Sequence, residues 1–143
     1  MTRLLIDTNI ILDLLGKRMP FFDSAAKLFS LGDQKKLRLC VSSISFTTTN
    51  YILTKLKTGD EAREILRRFK ALVRVLPLDN KIIDLALNDS TFRDFEDAVQ
   101  YFTALENRQE AIITRNLKDF KNSKIPAFTA EAFLSTMNRD MHS

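Results

Sequence analysis

The sequence predicts an α/β fold in which helices cover both faces of a mostly parallel central sheet of about five strands. Short apolar runs alternate along the chain with longer segments whose apolar residues recur at helical spacing. The opening run is apolar on consecutive residues, as in a strand that is buried on both faces. No Pro/Gly/Ser-rich linker and no repeat divides the 143 residues, so we expect one domain over residues 1–143.

The elements follow in order along the chain. Strands are expected at residues 3–6, 37–41, 73–75, 111–114 and 126–128. The first helix is expected to run from the end of the first strand to residue 16. Further helices are expected at 24–31, across 46–53, at 60–72, 79–87 and 94–107, and after residue 129. Polar side chains of Asp7, Asp60 and Thr129 are expected to cap helices, and Gly32 is expected to follow the end of the second helix.

Rare residues exclude most catalytic chemistries. The single histidine, His142, lies next to the C-terminus, and the single cysteine, Cys40, lies in an apolar stretch. Triad hydrolysis, Cys/His zinc sites and disulfide frameworks are therefore disfavoured. Three scattered glycines are too few for a phosphate-binding loop. Carboxylates and a hard metal ion are nearly all that remains for polar catalysis.

Charge and hydropathy indicate a cytoplasmic protein. The formal net charge is +4, which permits a polyanionic partner such as RNA. The N-terminus reaches charged residues too early for a signal peptide, and no apolar run approaches the roughly 20 residues that span a membrane. We therefore expect no membrane association.

Carboxylates are predicted to meet at one edge of the sheet. Asp7 ends the first strand, and Asn116 and Asp119 follow the strand at 111–114. Asp94 and Asp97 open a helix three residues apart, on one face. If the two strands are neighbours, the acids share the crevice beyond the carboxyl ends of the strands. Such acids repel one another unless a cation lies between them, and Mg²⁺ or Mn²⁺ could bind there, grip a phosphate and activate water for phosphodiester hydrolysis.

Three blocks together resemble a PIN domain: Leu5-Ile6-Asp7-Thr8-Asn9, Asp94-Phe95-Glu96-Asp97-Ala98-Val99-Gln100 followed by Ala104, and Ile113-Thr114-Arg115-Asn116-Leu117-Lys118-Asp119-Phe120. The resemblance covers essentially the whole chain, in family order and spacing. It implies a three-layer α/β/α sandwich and a ribonuclease that depends on Mg²⁺ or Mn²⁺. It also implies that the substrate is RNA and that the protein forms a homodimer, as family members frequently do. Many members are the toxin of a toxin–antitoxin pair, so an antitoxin protein is a further expected partner.

The resemblance also implies roles for individual residues. Asp7 and Asp97 match family acids, and Asn116 stands where an aspartate is frequent, so these three are the expected metal ligands. The expected catalytic set adds Asp94 and Asp119 to them. The family's second acid, usually a glutamate, has no counterpart at residues 45–51, where Asn50 is the best positional match. Asn50 is grouped with the expected substrate contacts Asn9, Thr114, Arg115 and Lys118.

Each feature also has a plainer interpretation. Asp7 and Asp94 could simply cap helices, because a helix N-terminus favours anions. Asn116 and Asp119 could be ordinary turn residues. Since the usual second acid is absent, an alternative function is a nucleic-acid-binding module with weakened catalysis. A phosphoacceptor receiver-like domain is disfavoured, because the middle strands lead into Ser42-Ser43 and Pro77 and not into an acceptor aspartate.

Overall fold

The computed structural model describes residues 1–142, with side chains through residue 139. Its centre is a parallel five-stranded sheet in the order β3-β2-β1-β4-β5. The strands are β1 (Thr2–Ile6), β2 (Leu37–Ser42), β3 (Arg74–Leu76), β4 (Ala111–Ile113) and β5 (Ala127–Phe128). All five predicted strands are therefore confirmed.

Within the described residues 1–142, seven α-helices connect and follow the strands. They are α1 (Thr8–Leu15), α2 (Phe22–Asp33), α3 (Ser43–Leu53), α4 (Gly59–Lys70), α5 (Asn80–Leu87), α6 (Phe95–Glu106) and α7 (Ala130–His142). A short 3₁₀ helix, Leu117–Phe120, follows β4. No helix within residues 1–142 combines the length and the apolar character that a bilayer crossing requires.

Two apolar cores lie on opposite faces of the sheet, which makes a three-layer α/β/α sandwich. Because side chains alternate along a strand, Leu4 and Ile6 of β1 face one core and Leu5 faces the other. Helices α1, α2, α4 and α7 supply the first core, whereas α5 and α6 supply the second. β1 is buried on both faces, as its run of consecutive apolar residues predicted.

β1 lies between β2 and β4, and this arrangement brings distant parts of the chain together. Leu4, Leu5 and Ile6 pair in register with Ala111, Ile112 and Ile113. The ladder extends one residue further, because the backbone N–H of Asp7 donates to the carbonyl of Ile113 at 2.9 Å. The two strands named in the sequence argument are thus neighbours, and their carboxyl ends lie together.

Two predicted helix boundaries are wrong for identifiable reasons. Helix α2 continues past Gly32 to Asp33, and Gly32 instead lets the helix pack closely against Leu39 of β2. A Cβ there would lie 2.7 Å from Leu39 Cδ1. Helix α4 is capped by Thr58 and not by Asp60, since the Thr58 hydroxyl accepts from the N–H of Glu61 at 3.1 Å.

We expect Gly32→Ala to destabilise the protein by about 1–2 kcal/mol, because the added methyl group overpacks a buried contact with Leu39. This is the net effect, because the overpacking penalty exceeds the gain of about 1 kcal/mol that alanine brings through its better helix propensity. Urea unfolding followed by circular dichroism measures the difference. Gly59→Ala is the matched control, since no atom lies within 4 Å of its added Cβ, and equal stability of the two variants would contradict the packing argument.

Candidate active site

Asp7 is held rigidly at the carboxyl end of β1. Its carboxylate caps helix α1, with Oδ1 accepting from the backbone N–H of Thr8 at 2.7 Å. Oδ2 accepts from the Thr114 hydroxyl at 2.8 Å and from the Asn9 amide at 3.3 Å. Asp7 therefore caps a helix, as the plainer interpretation says, and also faces the large cavity at this edge of the sheet.

Helix α6 contributes three further acids to the same cavity. Asp94 caps the helix, since its Oδ2 accepts from the backbone N–H of Asp97 at 3.1 Å. Glu96 Oε1 accepts from the Thr48 hydroxyl at 3.3 Å. All three acids line the cavity with Asp7, and residues of α1, α3 and α6 all contribute to its wall.

The segment after β4 forms the opposite wall. Asn116 follows the strand, and its backbone N–H donates to the Thr114 hydroxyl at 3.0 Å. Asp119 lies on the 3₁₀ helix, and both side chains are exposed and line the cavity. Lys118 and Lys121 lie on the same wall and supply positive charge close to the acids. The cavity measures about 800 Å³, which leaves room for an extended polar ligand.

Burial, together with the nearby negative charges, disfavours the charged forms of Asp7, Glu96 and Asp97. The pKa of Asp97 is raised to about 7, first by burial and then by the negative charges of Asp7, Asp94, Asp119 and Glu96. Burial also raises the pKa of Asp7, although the hydrogen bonds from Thr114 and Thr8 oppose this shift. The cavity is consequently a place where positive charge is strongly favoured.

Not all of the expected substrate contacts lie in the cavity. Asn9 and Lys118 line it, whereas Asn50 and Arg115 do not. Thr114 is fully buried behind Asp7, where its hydroxyl orients the carboxylate. The only side chain of α3 in the cavity wall is Thr48, two residues before Asn50. Asn50 therefore does not line the cavity that holds the acids, and its match to the family's second acid stays a prediction.

Arg115 serves a different purpose from the predicted phosphate contact. Its guanidinium donates two hydrogen bonds to the buried carboxylate of Asp13, at 2.8 Å and 3.1 Å, and lies over the ring of Phe21. This pair anchors the segment after β4 to helix α1. The ion pair between Arg115 and Asp13 could not be predicted from the sequence, because an arginine next to several acidic motif residues is also typical of a phosphate-binding site.

Sequence reasoning assigned no role to Thr48 and left that of Glu96 open. Thr48 lies among several threonines on α3, with no pattern that distinguishes it. Glu96 offers one signal, since it lies between Asp94 and Asp97 at the helix start, where three acids exceed the need of a single cap. The hydrogen bond between these two residues joins α3 to α6 beside the cavity.

The donor set suits a hard, hydrated cation. Among residues 1–139, whose side chains the structure describes, no three His, Cys, Asp or Glu side chains are close enough together to hold a metal ion by themselves. Mg²⁺ in proteins commonly uses one or two carboxylates and keeps several waters, so a closed cage is not required. Asp7 and Asp97, with the neutral oxygen of Asn116 on the facing wall, could provide such an open site.

Comparison with known proteins identifies the family. A family model described as PIN domain matches residues 3–118, which include Asp7, Asp97 and Asn116. The chain belongs to the PIN domain family. The fold class and the motif order that the sequence predicted agree with this membership.

Individual relatives share the fold over nearly the whole chain. Ribonuclease VapC1 of Aquifex aeolicus (strain VF5) is 27% identical in sequence, in an alignment that covers 95% of this chain and 96% of the relative. The DNA-bound VapBC structure from Salmonella typhimurium aligns with a TM-score of 0.71 at 20% identity, over 91% of this chain and 99% of that one. VapC20 of Mycobacterium tuberculosis, a sarcin-ricin loop cleaving toxin, aligns with a TM-score of 0.67 at 16% identity, over 85% and 95%.

The raised pKa of Asp97 predicts an unusual pH dependence of stability in EDTA. Between the ordinary pKa of 3.8 and about 7, the native protein keeps a proton that the unfolded chain has released. This group therefore lowers the free energy of unfolding as pH rises through that window. We expect Asp97→Asn, which cannot titrate, to gain stability relative to the wild type between pH 5 and 7.5 in urea unfolding. A difference between the two proteins that does not change with pH would contradict this, and Asp23→Asn, at an exposed acid on α2, is the control.

Proposed function

We propose that this protein is an endoribonuclease that hydrolyses RNA phosphodiester bonds with the help of Mg²⁺ or Mn²⁺. The carrying observation is that the side chains of Asp7 and Asp97, which are far apart in the sequence, line one cavity together with further acids. Membership of the PIN domain family and the likeness to Ribonuclease VapC1 support the same activity.

The electrostatics of the cavity favour a divalent cation as cofactor. Burial and mutual repulsion hold a proton on Asp97 up to a pKa of about 7, and a cation bound between the acids would replace that proton. Such an ion supplies positive charge against a phosphate and activates water for attack. Asp7, Asp97 and Asn116 are the residues proposed to hold it.

The protein's own residues then bind and orient the RNA. Lys118 and Lys121 line the cavity opposite the acids of α6 and are proposed to neutralise the backbone phosphates. Thr114 and the backbone N–H of Thr8 fix the Asp7 carboxylate, so it needs no reorganisation when substrate arrives. Asp94 fixes the start of α6 and thereby the position of Asp97.

The comparisons also support a biological setting. Several structural relatives are toxin–antitoxin complexes, and another relative, VapC20, is a toxin that cleaves the sarcin-ricin loop. We therefore propose that the protein acts as the toxin of such a pair, in the cytoplasm, under restraint by an antitoxin protein. A homodimer is proposed on the family resemblance alone.

One observation favours a second function. Helix α3 offers Thr48 to the cavity in place of an acid, so a cation is held more weakly than it would be with a further carboxylate ligand. The alternative is a nucleic-acid-binding module in which the lysines retain RNA but cleavage is lost. Metal uptake and cleavage, measured separately, distinguish the two functions.

We expect Asp7→Asn and Asp97→Asn each to lower RNA cleavage by at least about 100-fold, because loss of an outer partner already costs about 10- to 100-fold at metal sites. The assay measures cleavage of a structured RNA in the presence of millimolar Mn²⁺, and EDTA should abolish it. Asp23→Asn is the control for the loss of one negative charge. Cleavage that survives either site variant or EDTA would refute the metal-dependent mechanism.

We expect Mn²⁺ affinity to rise about tenfold per pH unit below pH 7 and to level off above it, because binding must displace the proton of Asp97. Titration followed by electron paramagnetic resonance measures the free ion. In Asp97→Asn, binding should be weak and should lack this dependence. If millimolar Mn²⁺ neither binds nor raises the melting temperature while RNA still binds, the binding-module function is the correct one.

A further inference from the structure

We infer that Gln100 is a positioning residue for the proposed active site: it joins three helices beneath the cavity and sets the distance between Asp7 and Asp97. The inference rests on the proposed function. It assigns a role to an uncharged side chain that does not itself line the cavity.

Gln100 lies in the interior of α6 and its exposed fraction is 0%. Its amide Nε2 donates to Ser45 Oγ at 3.0 Å and to Thr8 Oγ1 at 3.4 Å. The two hydroxyls lie 2.9 Å apart and share a hydrogen bond. The three side chains form a closed polar triangle, hereafter the Gln100 triangle, with one corner on each of α1, α3 and α6.

Two corners of the Gln100 triangle connect directly to the acids. Thr8 follows Asp7 in sequence, lines the cavity, and donates its backbone N–H to Asp7 Oδ1 at 2.7 Å. Gln100 lies three residues after Asp97 on α6, which places both on adjacent turns of one helix face. The triangle therefore fixes the start of α1 against the first turns of α6, and the two acids lie on these segments.

This restraint opposes a real force. Asp7 and Asp97 line the same cavity, and two carboxylates that share a site repel each other when both are charged. The sheet fixes Asp7 through β1, whereas α6 packs on the sheet through apolar side chains. Hydrogen bonds have the direction and short range that apolar packing lacks, so Gln100 is suited to hold α6 close to α1.

The polar identity of Gln100 is poorly explained by stability. Its carbonyl Oε1 is buried and has no hydrogen-bonding partner among the described protein atoms. An unsatisfied buried polar atom destabilises a fold, and an apolar side chain of similar shape would avoid that cost. The amide Nε2 of Gln100, in contrast, is hydrogen-bonded to Ser45 and Thr8, beneath the cavity. The need to position the acids of the site therefore explains a glutamine here better than fold stability does.

The test compares Gln100→Met with Thr103→Val. Methionine resembles glutamine in shape but cannot donate to Ser45 or Thr8, whereas Thr103 is an equally buried polar residue on the same helix whose hydroxyl has no partner. We expect Gln100→Met to weaken Mn²⁺ binding about tenfold, measured by electron paramagnetic resonance, while its melting temperature stays equal or rises. Thr103→Val should bind Mn²⁺ as the wild type does.

The outcomes separate the inference from the proposed function. If wild-type protein neither binds Mn²⁺ nor cleaves RNA, the proposed function fails, and the positioning role fails with it. If the wild type binds and Gln100→Met binds within twofold of it, only the positioning role is overturned. An equal loss in Thr103→Val would also overturn it, because the effect would then be general to buried polar changes on α6.

A second variant keeps the test decisive if Gln100→Met does not fold. Ser45→Ala removes the nearer partner of Gln100 without a change to α6, and we expect weaker Mn²⁺ binding in the same direction. In the double variant the two losses should not add, since both act through one hydrogen-bonded unit. Failure of both single variants to fold would overturn the inference, because the Gln100 triangle would then hold the fold and not the site.

Discussion

The pairing of β1 with β4 in the middle of the sheet is the constraint on which the site depends. The ladder continues past Ile6 through the backbone of Asp7, so the main chain of this acid is fixed to the last residue of β4. Both strands are buried on their two faces, and neither can slide without exposing apolar side chains. Everything that follows each strand, including the start of α1 and the wall that carries Asn116 and Asp119, is therefore assembled at one edge.

The clustering of the acids at this edge is electrostatically unfavourable when neither protons nor a cation are bound. Burial and like charge raise the pKa of Asp7, Glu96 and Asp97, so the site favours bound protons or a cation over free carboxylates. Hydrogen bonds from Thr114, Thr48 and the N-terminus of α1 orient the acids without neutralising them. Rigid carboxylates with unrelieved charge are what a hydrated divalent ion requires, because it takes few protein ligands and tolerates little misplacement.

Much of the fold was predictable from local signals, and the errors have a common cause. Strand positions and most helix ends follow from apolar periodicity and capping residues, as at Asp79, Asp94 and Thr129. The predicted end of α2 before Gly32 was wrong, because glycine commonly follows a helix, whereas here it allows α2 to approach Leu39. Arg115 misled similarly, since its charge suggested phosphate until the structure paired it with Asp13. In each case a contact between remote segments decided the role of the residue.

The sequence by itself determined the α/β class, the order of the elements and the acids at their ends, because hydrophobic period and capping chemistry are local properties of the chain. Only the tertiary structure decided which polar side chains face the cavity. Thr48 and not Asn50 lines it, and Gln100 donates to Thr8 and Ser45 across three helices. Such choices depend on how helices rotate and pack on the sheet, and a difference of two residues along a helix turns a side chain by about 200°.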